Sequence, residues 1–211
     1  MLGAEQNGNF KARAFVLFGL IAVMWIVHAV GAIMPGHFLS AGIVPRDVTS
    51  LAAILTAPFV HASLGHLIAN SIPLFVLGAL VLLRGVTEFA VVVQLSILIG
   101  GAGTWLIGAS GSRHVGASGI VLGLMGYLLF RAAFDHKISS IVITLVVALG
   151  YGTALVMSLV PHEHISWSGH VFGLAGGITA ARLLARRESS EQQRALAEVH
   201  FKALDRQKPR S

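Results

Sequence analysis

Six long stretches of this chain carry no Lys, Arg, Asp or Glu, and this feature limits the possible folds more than any other. They lie at residues 14–34, 59–83, 89–111, 115–130, 138–160 and 165–181. A helix that crosses a bilayer needs about 20 apolar residues, with a range of about 17–25, so the fourth and sixth stretches are short. Only 11% of the residues are charged, whereas soluble domains carry roughly a quarter. We therefore predict an all-α membrane protein with six transmembrane helices.

The basic residues predict how these six spans are oriented. If the N-terminus is cytoplasmic, all of the 15 Lys and Arg residues except Arg46 and Arg113 lie on the cytoplasmic side. Because Lys and Arg accumulate in cytoplasmic segments, we predict that both termini are cytoplasmic. The predicted divisions are an N-terminal tail at 1–13, a six-helix domain at 14–186 and a basic C-terminal tail at 187–211. The first apolar run is too long for a signal peptide and is expected to be retained.

Composition also limits the partners and cofactors. The chain has no cysteine, which excludes thiolate catalysis and zinc–thiolate sites. Its net charge of +6 is accounted for by the cytoplasmic segments, and no basic patch is interleaved with aromatic residues, so we predict the lipid bilayer and no nucleic acid as partner. We predict neither a metal nor another cofactor.

A few polar side chains interrupt the second, fourth and sixth spans, and such residues are functional candidates by default. These three spans run in the same direction in the predicted topology. We expect His66 about seven residues, or ~10 Å, into the second span. Asn70 follows one turn later on the same face. Ser118 opens the fourth span, and His170 lies one to two turns into the sixth. All four should therefore lie at a similar shallow depth in the outer leaflet.

Glycines in the fourth and sixth spans predict that these two helices pack closely. Spacing of small residues by four lets transmembrane backbones approach each other. The glycines expected around the polar residues are Gly116, Gly119, Gly169, Gly173 and Gly177. Since His170 shares a helix face with Gly173 and Gly177, its imidazole should point towards the partner helix.

This set of residues could carry out acyl transfer. Ser118 could attack a carbonyl and His170 could accept the proton, while the Ser118 N–H, Asn70 and His66 stabilise the oxyanion. The tetrapeptide Gly-Ala-Ser-Gly occurs twice, but Ser110 precedes a polar loop, whereas Ser118 precedes an apolar helix. We place Asp47, Glu88, Asp135 and Glu163 in loops. With no acid inside a span, a Ser–His dyad is expected and an aspartyl protease is excluded. The "HEH" at 162–164 is too short for a zinc-protease motif.

The motifs "GHLIAN", "GASG" and "GHVFGLAGG", in this order, resemble those of the rhomboid family of intramembrane serine proteases. The resemblance implies a nucleophile at Ser118, a base at His170 and oxyanion donors at His66 and Asn70, acting on transmembrane protein substrates. It also implies a structural role for His61. A tyrosine that many members place one turn after the nucleophile is Leu122 here, which predicts a less firmly oriented base. The Trp-Arg pair of many members is missing from the first outer loop.

Two alternatives to a protease remain. One is a catalytically silent relative that binds transmembrane segments as an adaptor or chaperone. The other is a metal-binding or transport bundle, which would use five histidines: His61, His66, His162, His164 and His170. For the protease, we expect a multi-pass protein of a bacterial plasma membrane.

Overall fold

The computed structural model describes residues 2–34, 41–160 and 166–206, and most of them are helical. The helices are α1 (Leu2–Ile33), α2 (Ala53–Thr56), α3 (Leu64–Leu82), α4 (Val86–Ile107), α5 (Ser118–Asp135), α6 (Ile138–Leu159) and α7 (Trp167–Arg206). Two 3₁₀ turns, Val48–Ser50 and Ala57–Phe59, flank α2. Within these ranges there is no strand, and one isolated bridge joins Ile43 to His114. The predicted all-α class is confirmed.

Five of these helices are long and apolar enough to cross a membrane. The qualifying segments are Phe10–Ile33, Leu64–Leu82, Val86–Ile107, Ser118–Asp135 and Ile138–Leu159. The sixth predicted span is the first part of α7, which does not qualify on composition because Gly, Ser and His interrupt its apolar residues. The count of six spans and the cytoplasmic position of the termini stay predictions.

Helix α5 is the centre of the bundle. Of the residues in its most apolar 18-residue segment, 56% are buried, against 11% in the corresponding segments of α1 and α6. It contacts α3, α4, α6 and α7. The main hydrophobic core gathers around it and includes Leu124 and Tyr127, both fully buried. Ser118 at its first residue is therefore mounted on the most enclosed helix of the fold.

Glycines hold α7 against α5 at backbone contact. A Cβ added to Gly173 would overlap the backbone of Gly119, and one added to Gly177 would overlap the carbonyl of Gly123. On its other side, α7 meets α4, where a Cβ on Gly176 would lie 2.7 Å from the carbonyl oxygen of Leu95. Because any side chain at these positions would separate the helices, the glycines set the distance between α5 and α7.

Two helices begin later than their apolar stretches do. Helix α3 begins at Leu64, because the Ser63 hydroxyl accepts the N–H of His66 and caps the helix, and because a 3₁₀ turn precedes it. His66 therefore lies in the first turn, so the predicted depth of seven residues into the helix is wrong. Helix α5 begins at Ser118, since Gly116 has a φ of 108°, which helical backbone does not allow.

Two acidic residues placed in loops by the sequence lie in helices. Glu88 is in the first turn of α4, where a carboxylate favours the helix dipole. Asp135 is the last residue of α5, because the helix continues past the apolar stretch that ends at 130. Helix α7 continues without a break across residue 187, where the C-terminal tail was predicted to begin; that domain boundary is still a prediction.

A charge cluster lies at the end of α5 opposite Ser118, and it was not foreseen from the sequence. Asp135 lies 3.1 Å from both the Arg84 and the Arg131 guanidinium. Arg131 also contacts the Glu188 carboxylate at 2.8 Å, and Lys137 pairs with Glu188. The side chains of Arg131 and Asp135 are only 1% and 3% exposed. The cluster joins the α3–α4 turn, α5 and α7 by ion pairs rather than by apolar packing.

Candidate active site

The four polar residues predicted to meet line one cavity of about 910 Å³. Ser118 comes from α5, His170 from α7, and His66 and Asn70 from α3. No Asp or Glu is among the described residues that line this cavity. The three helices thus bring together a hydroxyl, two imidazoles and an amide.

Ser118 occupies the first turn of α5, where backbone N–H groups have no partner within the helix. The positive end of the helix dipole also lies there and favours negative charge. Among the described residues no hydrogen bond joins the Ser118 hydroxyl to His170, although both face the same cavity. In structures without substrate such bonds are often long and tighten only in the reacting complex.

His66 and Asn70 lie beneath the loop that leads to Ser118. A Cβ added to Gly116 would lie 2.7 Å from Nε2 of His66 and 3.6 Å from Nδ2 of Asn70. The Asn70 amide is buried and donates one hydrogen bond to the backbone oxygen of His66 at 3.0 Å. Its second N–H is therefore available to another acceptor. Position 116 requires glycine for two reasons: its φ is 108°, and the His66 imidazole fills the space that a side chain would occupy.

His61 holds the residue before Ser118. Its Nε2 accepts the backbone N–H of Ala117 at 3.4 Å, and its Nδ1 lies 3.3 Å from the oxygen of Phe59. One neutral tautomer, protonated at Nδ1, satisfies both bonds. Burial, and then repulsion from the neighbouring His66 and from His28, lower the pKa of His61 to about 4 despite the bond to Phe59. His61 is therefore neutral at physiological pH and supports the loop that carries the serine.

A third histidine at the cavity, His114, was missed by sequence reasoning. Its Nδ1 lies 2.6 Å from the Ser166 hydroxyl and its Nε2 lies 2.7 Å from the Ser112 hydroxyl. Burial lowers the pKa of His114 and so favours the neutral ring, which can make both bonds because a serine hydroxyl can either donate or accept. His114 thus ties the loop before α5 to the start of α7. Nothing in the surrounding sequence distinguishes it from an ordinary loop residue.

His170 lies in the first turn of α7 and is mostly buried. Its Nδ1 lies 2.8 Å from the backbone oxygen of Ser158, which belongs to the last turn of α6. The His170 imidazole is therefore bonded to α6, a helix that the sequence analysis did not assign to the site.

Ser110 has a different environment from Ser118. It lies in the loop after α4, where its hydroxyl accepts a hydrogen bond of 2.7 Å from Arg46. Arg46 also donates to the carbonyls of Leu106 and Gly108, which end α4. Ser110 is not among the residues lining the cavity, although its neighbour Ala109 is, so only the second copy of Gly-Ala-Ser-Gly presents its serine there.

Among the described residues, no group of three or more His, Asp or Glu side chains is arranged so that it could hold a metal ion. His162, Glu163 and His164 lie outside the described residues. Ser71, Ser96 and Ser158 return their hydroxyls to the carbonyl four residues earlier, as expected for serines in apolar helices.

Five membrane-length apolar helices among the described residues define an integral multi-pass membrane protein, and its largest described cavity is lined from α3, α5 and α7. The model of the Rhomboid domain matches residues 48–187, and the chain belongs to the rhomboid family.

The chain is similar to proteins of mycobacteria and of Bacillus subtilis. The chain is 36% identical over 176 residues to the uncharacterized protein Rv1337 of Mycobacterium tuberculosis, covering 80% of this chain and 73% of the relative. It is 32% identical over 141 residues to YdcA of Bacillus subtilis, whose name assigns it to the rhomboid proteases, covering 64% of this chain and 68% of YdcA. It is 28% identical over 138 residues to the rhomboid protease GluP of the same organism, covering 62% of this chain and 25% of GluP.

Proposed function

We propose that this protein is an intramembrane serine endopeptidase of the bacterial plasma membrane that uses a Ser118–His170 dyad. The observation that carries the proposal is the single cavity into which α3, α5 and α7 bring a hydroxyl, an imidazole base and further donors. Family membership supports the same reaction class. Apart from the family resemblance, the proposal depends on the chemistry of these side chains.

In the proposed reaction, the Ser118 oxygen attacks the carbonyl carbon of a peptide bond while its proton passes to Nε2 of His170. The Ser118 N–H and the side chains of Asn70 and His66 stabilise the oxyanion. His170 then gives the proton to the leaving amine as the C–N bond breaks, which leaves an acyl-enzyme. Water repeats the sequence: His170 takes its proton, the ester is cleaved and Ser118 regains its hydrogen.

The proposed substrates are membrane proteins, since the cavity lies at the end of helices that cross the bilayer. A peptide bond inside a helix is shielded by its hydrogen bonds, so the substrate must unwind before the serine can reach its carbonyl. This requirement favours transmembrane segments with small or helix-breaking residues. Cleavage near the outer leaflet follows from the proposed orientation with both termini in the cytoplasm. We retain 14–186 as the proposed protease domain.

The two copies of Gly-Ala-Ser-Gly offer a matched test of the nucleophile. Purified protein in detergent is mixed with a model transmembrane substrate, and the cleavage rate is followed by mass spectrometry. Ser118→Ala should reduce cleavage by roughly 10⁴-fold or more, because members of a catalytic unit act together. Ser110→Ala should cleave at nearly the wild-type rate. A dead Ser110→Ala variant, or an active Ser118→Ala variant, contradicts the assignment. A wild-type protein that binds the substrate without cleaving it would instead indicate the silent adaptor.

A further inference from the structure

The imidazole of His170 contacts a hydrogen-bond acceptor that has no proton of its own. The Ser158 carbonyl lies 2.8 Å from Nδ1, and a carbonyl oxygen can only accept. The proton of the neutral ring must therefore be on Nδ1, and Nε2 keeps its lone pair. This is the tautomer that a base needs if Nε2 is to take the proton of a serine.

The Ser158 carbonyl is free to accept this bond because of its place in α6. The last four carbonyls of a helix have no N–H partner within it, and α6 ends at Leu159. The negative end of the helix dipole lies at the same point and favours a nearby positive charge. The Ser158 hydroxyl does not compete, since it donates to the oxygen of Ala154 at 2.7 Å. No carboxylate among the described residues lines the cavity to take this role.

The position of this carbonyl depends on how α6 is attached to the bundle. The start of α6 is fixed by Ser140, which bonds to Asp135, and by Thr144, which bonds to the oxygen of Leu128. Its second half contains no fully buried residue, and Leu149 is 88% exposed. In that half, Tyr151 and Leu155 pack against the core, and beyond them the bond to His170 joins the end of α6 to α7.

We propose that the last turn of α6 is a positioning element for the base, in which the Ser158 carbonyl sets the tautomer of His170 and stabilises the imidazolium formed during proton transfer. The carbonyl would do for His170 what a carboxylate does for the histidine of a Ser–His–Asp triad. It would also supply the orientation that Leu122 cannot supply by stacking. The kinetic part of this inference depends on the proposed function of His170 as base, whereas the tautomer does not.

The tautomer can be measured without any activity. The protein is labelled with ¹⁵N-histidine in detergent micelles, and His170 is assigned by the signal missing from His170→Gln. At a pH where the ring is neutral, the proposal expects the hydrogen on Nδ1. A ring with its hydrogen on Nε2 overturns it.

The carbonyl can be weakened without changing any side chain. Replacing Leu159 by the corresponding α-hydroxy acid turns its amide into an ester, which makes the Ser158 carbonyl a poorer acceptor. We expect kcat to fall roughly 3- to 10-fold with little change in KM, as for a partly lost hydrogen bond. The matched control places the ester one residue earlier, where it weakens the Met157 carbonyl, and kcat should fall much less.

The outcomes separate the two proposals. Equal losses in the two ester variants, or no loss in the first, would show that the Ser158 carbonyl does not act on the base. If Ser118→Ala cleaved as fast as wild type, the proposed function would fall, and the His170 tautomer would still decide whether this carbonyl holds the ring.

Discussion

Asp135→Asn should destabilise the fold strongly although it changes only one atom and lies at the far end of α5 from the cavity. The Asp135 carboxylate is 3% exposed and neutralises two guanidinium groups, those of Arg84 and Arg131. Breaking a buried ion pair by removing one partner costs about 3–5 kcal/mol, because a buried charge is left uncompensated. Glu188 still contacts Arg131, so we expect the lower end, about 3 kcal/mol. The folding equilibrium constant should fall roughly a hundredfold.

The chain offers a matched control for burial. Arg187 and Glu191 have the same i,i+4 spacing as Arg131 and Asp135, at 2.8 Å, but are 67% and 62% exposed. Glu191→Gln should leave stability unchanged within error, because water screens the pair. The measurement is equilibrium unfolding in mixed detergent micelles, followed by circular dichroism. Equal midpoints for wild type and Asp135→Asn, or equal losses in both variants, would refute the argument from burial.

Three further predictions concern the site and its supports. Gly116→Ala should lower the cleavage rate by roughly 10²-fold, while the far-ultraviolet circular dichroism spectrum stays unchanged. An alanine is strained at a φ of 108°, and its Cβ would lie 2.7 Å from Nε2 of His66. Gly177→Leu should abolish cleavage by separating α7 from α5, whereas Gly152→Leu, which enters open space in α6, should not. The pKa of His61 is about 4 in the folded state and 6.5 in the unfolded state, so the unfolded state binds more protons between these pH values. Unfolding titrations should therefore show the free energy of unfolding falling as the pH drops from about 6.5 to about 4. His61→Gln keeps a donor and an acceptor but does not titrate, and should flatten this slope; an unchanged slope would contradict the assigned pKa.

The sequence alone determined the class of fold and the residues proposed for the site. Charge-free runs of this length have to be helices in a bilayer, because lipid offers no hydrogen-bond partner to an open backbone. Polar residues are rare in such runs, so Ser118, His170, His66 and Asn70 could be selected by elimination. Composition was sufficient for this selection because the free energy of moving a side chain from water into lipid differs strongly between apolar and polar residues.

The tertiary structure alone decided where the helices begin and end, and which helices interact beyond the glycine-lined pair α5 and α7. Apolar length could not show that α3 begins at Leu64 or that α5 continues to Asp135. The Ser63 cap sets the start of α3, and the left-handed backbone of His136 ends α5. The bond between His170 and Ser158 depends on how α6 and α7 are rotated about their axes. Such rotation is set by close contacts such as that of Gly177 with Gly123. For helices without such a glycine motif, alternative neighbours differ by small packing energies that no single segment encodes, so only the packed bundle establishes them.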